Sequence, residues 1–244
     1  MPTLETYIEH TQQCESEDEL FRAFDRFVSE LGIRYGAYFI MSKQMRAIPP
    51  EAGLVRQNFP SDFAKIYITR HFAKFDPIIQ QALKESRPFH WGDVRKHRTL
   101  NAQQEQIFEA HKEAGLLDGL AVPVFGPMGT FAVFSLASHG RTLDLTDNQL
   151  IAIQFVCLQT HNRYFELAHI NDDAPEKPLS PREKEALALV AAGLPNTVIA
   201  ERLGVTENTV DTMLRRIYAK LDVNNRISAV LKGIGCGMLL PEGD

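Results

Sequence analysis

The residues whose types and spacing could do chemistry gather near the C-terminus, where Glu207, Asn208, Thr209, Thr212 and Met213 are followed by Arg215, Arg216 and Lys220. Wound at about 3.6 residues per turn, these put short polar side chains at the start of a helix and cations toward its end. Short polar groups can meet base edges and cations can hold phosphates, so the stretch is a candidate DNA-reading element. Catalysis finds no comparable support. The eight histidines form no HExxH or similar ligand spacing, and neither GxSxG nor a phosphate-binding loop occurs. His71 and His139 stand near Asp76 and Ser135 in the chain, yet neither pair falls in a catalytic motif. No catalytic residue is assigned, and the protein is expected not to be an enzyme. Cys14, Cys157 and Cys236 lie far apart without a CxxC pair, which fits reduced thiols better than a disulfide frame or a zinc site, so no metal is expected.

A helix that reads DNA must be held by a second helix across a tight turn. Upstream, Ser180 can cap a helix, Pro181 suits its first turn and Glu183 completes a capping box. Ala186, Leu187, Leu189 and Val190 supply its apolar stripe, and Gly193 ends it. A short helix is expected over 195–203, a turn at Gly204, and a third helix capped by Thr206 and running to about Leu221. A fourth, over 225–238, carries Ile227, Val230, Leu231 and Ile234 at helical spacing, as a dimer face or as packing within the domain. The set reads as a four-helix helix-turn-helix domain over 179–244, although any three short amphipathic helices with a glycine turn share the outline. Over 179–244 eight Lys or Arg balance eight Asp or Glu. So few cations predict weak monomeric binding, which a dimer on half-sites about one helical turn apart would remedy.

The segment 171–178, NDDAPEKP, has two prolines, three acids and no large apolar residue, and reads as a linker. Before it, 17–31 repeats apolar residues at helical spacing, while 38–41, 120–125 and 130–136 are β-prone runs, the last two joined by Gly126-Pro127-Met128-Gly129. A long helix is expected over 144–167, with Thr146 able to cap it. Residues 1–170 therefore predict an α/β/α sandwich around an antiparallel sheet, giving an α+β chain overall. With 44% apolar and 23% charged residues the chain is globular, and a net charge of −5 argues against nonspecific coating of nucleic acid. Apolar stretches fall short of about 18 residues and the N-terminus carries acids rather than a basic leader, so a cytoplasmic protein without membrane contact is expected.

Residue identity narrows the family. LSPREKEALALVAAGLPNTVIAERLGVTENTVDTMLRRIYAKLDV closely resembles the C-terminal DNA-binding domain of LuxR-type regulators, through SPRE, the glycine of AAG, IAERLGV, ENTV and RRIYAKLDV. Asp211 and Met213 depart from it, standing where relatives often carry a lysine and a histidine. Phe59-Pro60, Phe63, Tyr67, Asp76-Pro77, Trp91 and Gly119 follow the spacing of the autoinducer-binding domain of LuxR-type quorum-sensing regulators. That resemblance implies an acyl-homoserine lactone or related effector rather than a resident cofactor, with Asp76 accepting from an amide N–H, Tyr67 and Trp91 walling the ligand and Ser135 bonding it. It also implies a homodimer on palindromic double-stranded DNA, with RNA polymerase as a further partner. Taken alone, Asp76 ahead of Pro77 is equally a helix cap, Tyr67 and Trp91 are equally core aromatics, and Ser135 an ordinary strand serine. Phe59 stands where the family usually has a tyrosine bonding the acyl carbonyl, and Phe63 where a tryptophan donates to the lactone carbonyl. Phenylalanine donates nothing. The alternative is a LuxR-type regulator that answers to another ligand, for example a plant-derived one, or to none.

Overall fold

The structure, a computed structural model, describes residues 3–43, 46–47, 53–126, 130–168 and 178–239. The chain divides after Ala168 into two compact units. The expected linker lies outside the described residues apart from Pro178, as does all but Gly126 of the Gly126–Gly129 connection.

In the first unit, α1 (Leu4–Gln13) and α2 (Glu17–Glu30) precede β1 (Tyr35–Lys43), β2 (Arg46–Ala47) and β3 (Leu54–Gln57). Then come α3 (Ser61–Thr69), α4 (Pro77–Ala82), β4 (Phe89–His90), α5 (Val94–His97) and α6 (Ala102–Glu113). The hairpin β5 (Gly119–Phe125) and β6 (Phe131–Ala137) follows, and α7 (Asp147–Leu167) closes the unit. The antiparallel sheet runs β2-β1-β6-β5-β4, with β3 also on β1. Alternation along the strands sends Tyr38, Phe134 and Leu136 toward α1, α2 and α7, and Ala121, Val133 and Ala137 toward the helices between β3 and β5. The expected α/β/α sandwich is present. The long helix begins at Asp147 rather than 144, because Thr146 is extended and caps it reciprocally with Gln149. Gly119 has a packing reason: a Cβ there would stand 2.4 Å from the Trp91 ring and 2.6 Å from the Leu136 carbonyl oxygen.

The second unit comprises α8 (Pro181–Ala191), α9 (Asn196–Leu203), α10 (Glu207–Lys220) and α11 (Arg226–Gly235). Ser180 and Glu183 form the expected capping box, and Thr206 caps α10. Gly204, at φ 66°, makes the left-handed turn between α9 and α10 that a side chain would strain. Leu187, Val190, Ile199, Leu203, Val210, Leu214 and Ile217 bury the inner faces of these helices together.

Candidate functional site

The first unit holds an apolar cavity of about 100 Å³ between the sheet and α3. Its floor is Ala37 and Val133 from β1 and β6, its walls Phe59, Phe63 and Ile78, and its polar lining includes Tyr67, Asp76 and Ser135. Asp76 is fixed by its own short helix: its extended backbone precedes Pro77 at the first position of α4, and Oδ1 accepts from the Ile78 N–H at 2.8 Å. Across the cavity wall the Tyr67 hydroxyl donates to Oδ2 at 2.7 Å. The carboxylate is thus both helix cap and cavity group, so the two readings of this residue coexist. Burial pushes its pKa above the ordinary carboxylate range, against the opposing pull of the Tyr67, Ile78 and Ile79 hydrogen bonds and the Arg98 charge. Burial and the adjacent carboxylate hold the Tyr67 phenol well above its usual value, so it stays a donor.

Five of the six expected ligand residues, Phe59, Phe63, Tyr67, Asp76 and Ser135, line this cavity. Trp91 stands one layer back. Its ring stacks on His111 at 4.4 Å, buried over Gly119, with Nε1 lacking a partner among the described residues. His111 takes the place nearer the cavity, and sequence reasoning missed it. It lies on the buried face of α6 with Gln104, Ile107 and Ala110, a spacing that could have placed it inward. Burial drives its pKa down to about 3, so the ring is neutral. Gln104 ties α6 to the Asp76 loop, its Nε2 donating to the Phe75 carbonyl at 3.3 Å.

In the second unit α10 presents Asn208, Thr212, Arg215 and Arg216 outward. Thr212 Oγ1 donates to the Asn208 carbonyl at 2.9 Å, Thr209 shares a 2.8 Å hydrogen bond with Thr206, and Met213 packs partly against the core. Lys220 does not face outward as expected. Its Nζ donates to Glu183 Oε2 at 2.6 Å and to the Pro178 carbonyl at 3.2 Å, because the capping carboxylate of α8 is buried and needs a cation. Burial alone would raise the Glu183 pKa, but the bonds from Lys220 and Ser180 hold it below the usual range. Also unanticipated is a chain in which Arg226 donates to Asn196 at 2.8 Å and Asn196 to Asp211 at 2.6 Å, pinning that acid to α9. Among the described residues no three His, Cys, Asp or Glu side chains gather to hold a metal ion, and no helix is long and apolar enough to cross a membrane.

Comparison with known proteins covers both units. Residues 16–164 match the family described as autoinducer binding domain, and residues 177–232 match the bacterial regulatory proteins of the luxR family. The transcriptional activator protein AnoR of Acinetobacter nosocomialis is 31% identical over 231 residues, covering 92% of this chain and 93% of that one. RpaR of Rhodopseudomonas palustris, a quorum sensing-dependent transcriptional regulator, is 28% identical, covering 90% of this chain and 88% of its own. In fold the chain is similar to SdiA solved in complex with octanoyl-rac-glycerol, with a TM-score of 0.73 at 20% identity over 96% of this chain and 93% of that one.

Proposed function

The chain belongs to the LuxR family of bacterial regulators, and we propose that its first unit senses an acyl-homoserine lactone or a related acyl compound through Asp76. The observation that carries this is a buried carboxylate in a mostly apolar cavity. Each carboxylate oxygen accepts more than one hydrogen bond, and the donors from Tyr67, Ile78 and Ile79 leave capacity for a ligand N–H. An apolar wall with a few placed polar groups suits an acyl chain bearing an amide head. Phe59 and Phe63, which offer no donor, favour a second reading, in which the ligand is an acyl compound without the lactone. The octanoyl-rac-glycerol complex of SdiA supports the same direction.

Bound ligand would complete the cavity core and favour a homodimer through α7, where Ile151 and Phe155 are exposed, with the α11 face of Ile227, Leu231 and Ile234 as a second contact. Two α10 helices would then meet a palindromic operator in the cytoplasm, with RNA polymerase as the downstream partner. Thermal midpoints at fixed protein concentration, with and without a panel of acyl-homoserine lactones and acyl glycerols, test the reading. Ligand at about a hundredfold above Kd adds about 2.7 kcal/mol to stability, a clear upward shift. Asp76→Ala should abolish that shift. A wild-type protein indifferent to every member of the panel would overturn the proposal.

A further inference from the structure

We infer that His111 is a specificity-determining residue, whose imidazole N–H donates to a carbonyl oxygen on the polar head of the ligand. The inference rests on the ligand reading above and adds the chemistry of the head's other end. His111 lines the cavity at 6% exposure, and its Nδ1 has no hydrogen-bond partner among the described residues. Its ring lies 4.9 Å from Phe63 on one side and 4.4 Å from Trp91 on the other, with Phe108 at 6.0 Å. A phenylalanine could fill that aromatic stack without the desolvation penalty of an unpartnered nitrogen, so packing alone gives the imidazole no advantage.

The rest of the cavity shows what the ring could bond. Phe59 and Phe63 have no hydrogen-bonding atom, the Tyr67 hydroxyl is committed to Asp76, and Gln57, His71 and Ser135 complete the polar lining. Phe63 stands between the two polar ends, 5.8 Å from Tyr67 and 4.9 Å from His111. A head group lying over Phe63 therefore meets an acceptor on the Asp76 side and an N–H donor on the His111 side. A carboxylate head would be repelled by Asp76, whereas an uncharged head with an N–H at one end and a carbonyl at the other satisfies both.

Titration of the full chain with N-octanoyl-homoserine lactone and with N-octanoyl-cyclopentylamine, which keeps the amide but lacks the ring carbonyl, tests this. Wild type should prefer the lactone by at least about tenfold. His111→Phe keeps the stack and should bring that preference close to unity. His111→Gln loses the ring but keeps a donor, and should retain part of the preference. A packing role ranks the variants in the opposite order, so Gln performing worse than Phe overturns the inference, and an undiminished preference in His111→Phe does so too. If His111→Phe does not fold, His111→Gln decides: its preference for the lactone supports the hydrogen bond, and its absence overturns it. Should wild type bind neither probe, this inference falls, and the ligand reading falls with it only if the acyl glycerols also leave the thermal midpoint unmoved; binding without lactone preference overturns the His111 role alone.

Discussion

The central sheet turns two unlike faces to its helices. Across β1, β6 and β5 the row Tyr38, Phe134, Val122 is large and fully buried, with Tyr38 and Phe134 stacked at 4.4 Å. One residue along, the row Ala37, Ser135, Ala121 is small, and Ala37 and Ser135, with Val133, line the cavity. Polar groups follow the same division. On the closed face Tyr38 and His161 share a hydrogen bond of 2.6 Å, as do Tyr7 and Thr160; on the open face Trp91 Nε1 and His111 Nδ1 have no partner among the described residues. One face is built to hold the fold and the other keeps room and hydrogen-bonding capacity in reserve. The period of two along a strand lets adjacent residues serve the two ends separately.

That division should show first in stability. Phe134→Ala empties a fully buried ring site and is expected to cost about 3–5 kcal/mol, whereas Ser135→Ala, one residue away, should change stability by less than about 0.5 kcal/mol. Urea unfolding of both variants measures the contrast. Comparable losses would mean that the cavity face supports the fold as strongly as its opposite and that the small row is not a reserve.

Acid sharpens the comparison with a smaller effect. Burial holds both His161 and His111 neutral, at about 4 and about 3 against an ordinary 6.5. Above pH 6.5 the imidazoles are neutral in folded and unfolded chains alike and add no pH dependence. As pH falls below 6.5 the unfolded chain takes up protons that the fold refuses, so each group removes stability at up to about 1.4 kcal/mol per unit until its folded pKa is reached. His111→Phe should flatten the stability profile between pH 6.5 and 4 by about that slope, and its neutral-pH stability should not fall, since it removes a buried Nδ1 that has no partner among the described residues. Unfolding curves at stepped pH give the result; a variant profile running parallel to wild type would show that His111 is not sealed from water.

Much of the closed face and of the second unit was legible because local chemistry announces them. Thr146, Ser180 and Thr206 cap the helices they were expected to cap, and the alternation of 130–136 places Phe134 and Ser135 on opposite faces. Residues 61–113, which form the cavity roof, were not read as elements. Their helices are short, some a single turn, and tertiary bonds such as Gln104 to the Phe75 carbonyl hold them where propensity is weak. Asp76 and Tyr67 were recoverable through a resemblance in spacing. His111 was hidden because a histidine on a mostly polar helix reads as solvent-facing until the burial of Ile107 and Ala110 fixes which side is in.

The smallest effects lie in α10, where the same contrast between engaged and open groups recurs. Arg215 and Arg216 point outward, while Lys220 is engaged by Glu183. Arg215→Ala should weaken DNA binding across all sequences and lower the slope of log affinity against log salt by about one, leaving the fold intact. Lys220→Ala should leave that slope unchanged and instead lower the stability of the second unit by about 1–2 kcal/mol, because the buried Glu183 loses its cation. Fluorescence anisotropy over a salt series, paired with thermal unfolding, separates the two. If Lys220→Ala reduced the salt slope as Arg215→Ala does, the lysine would have to leave Glu183 on binding DNA, and the ion pair would be a contact that the operator competes for rather than a fixed brace.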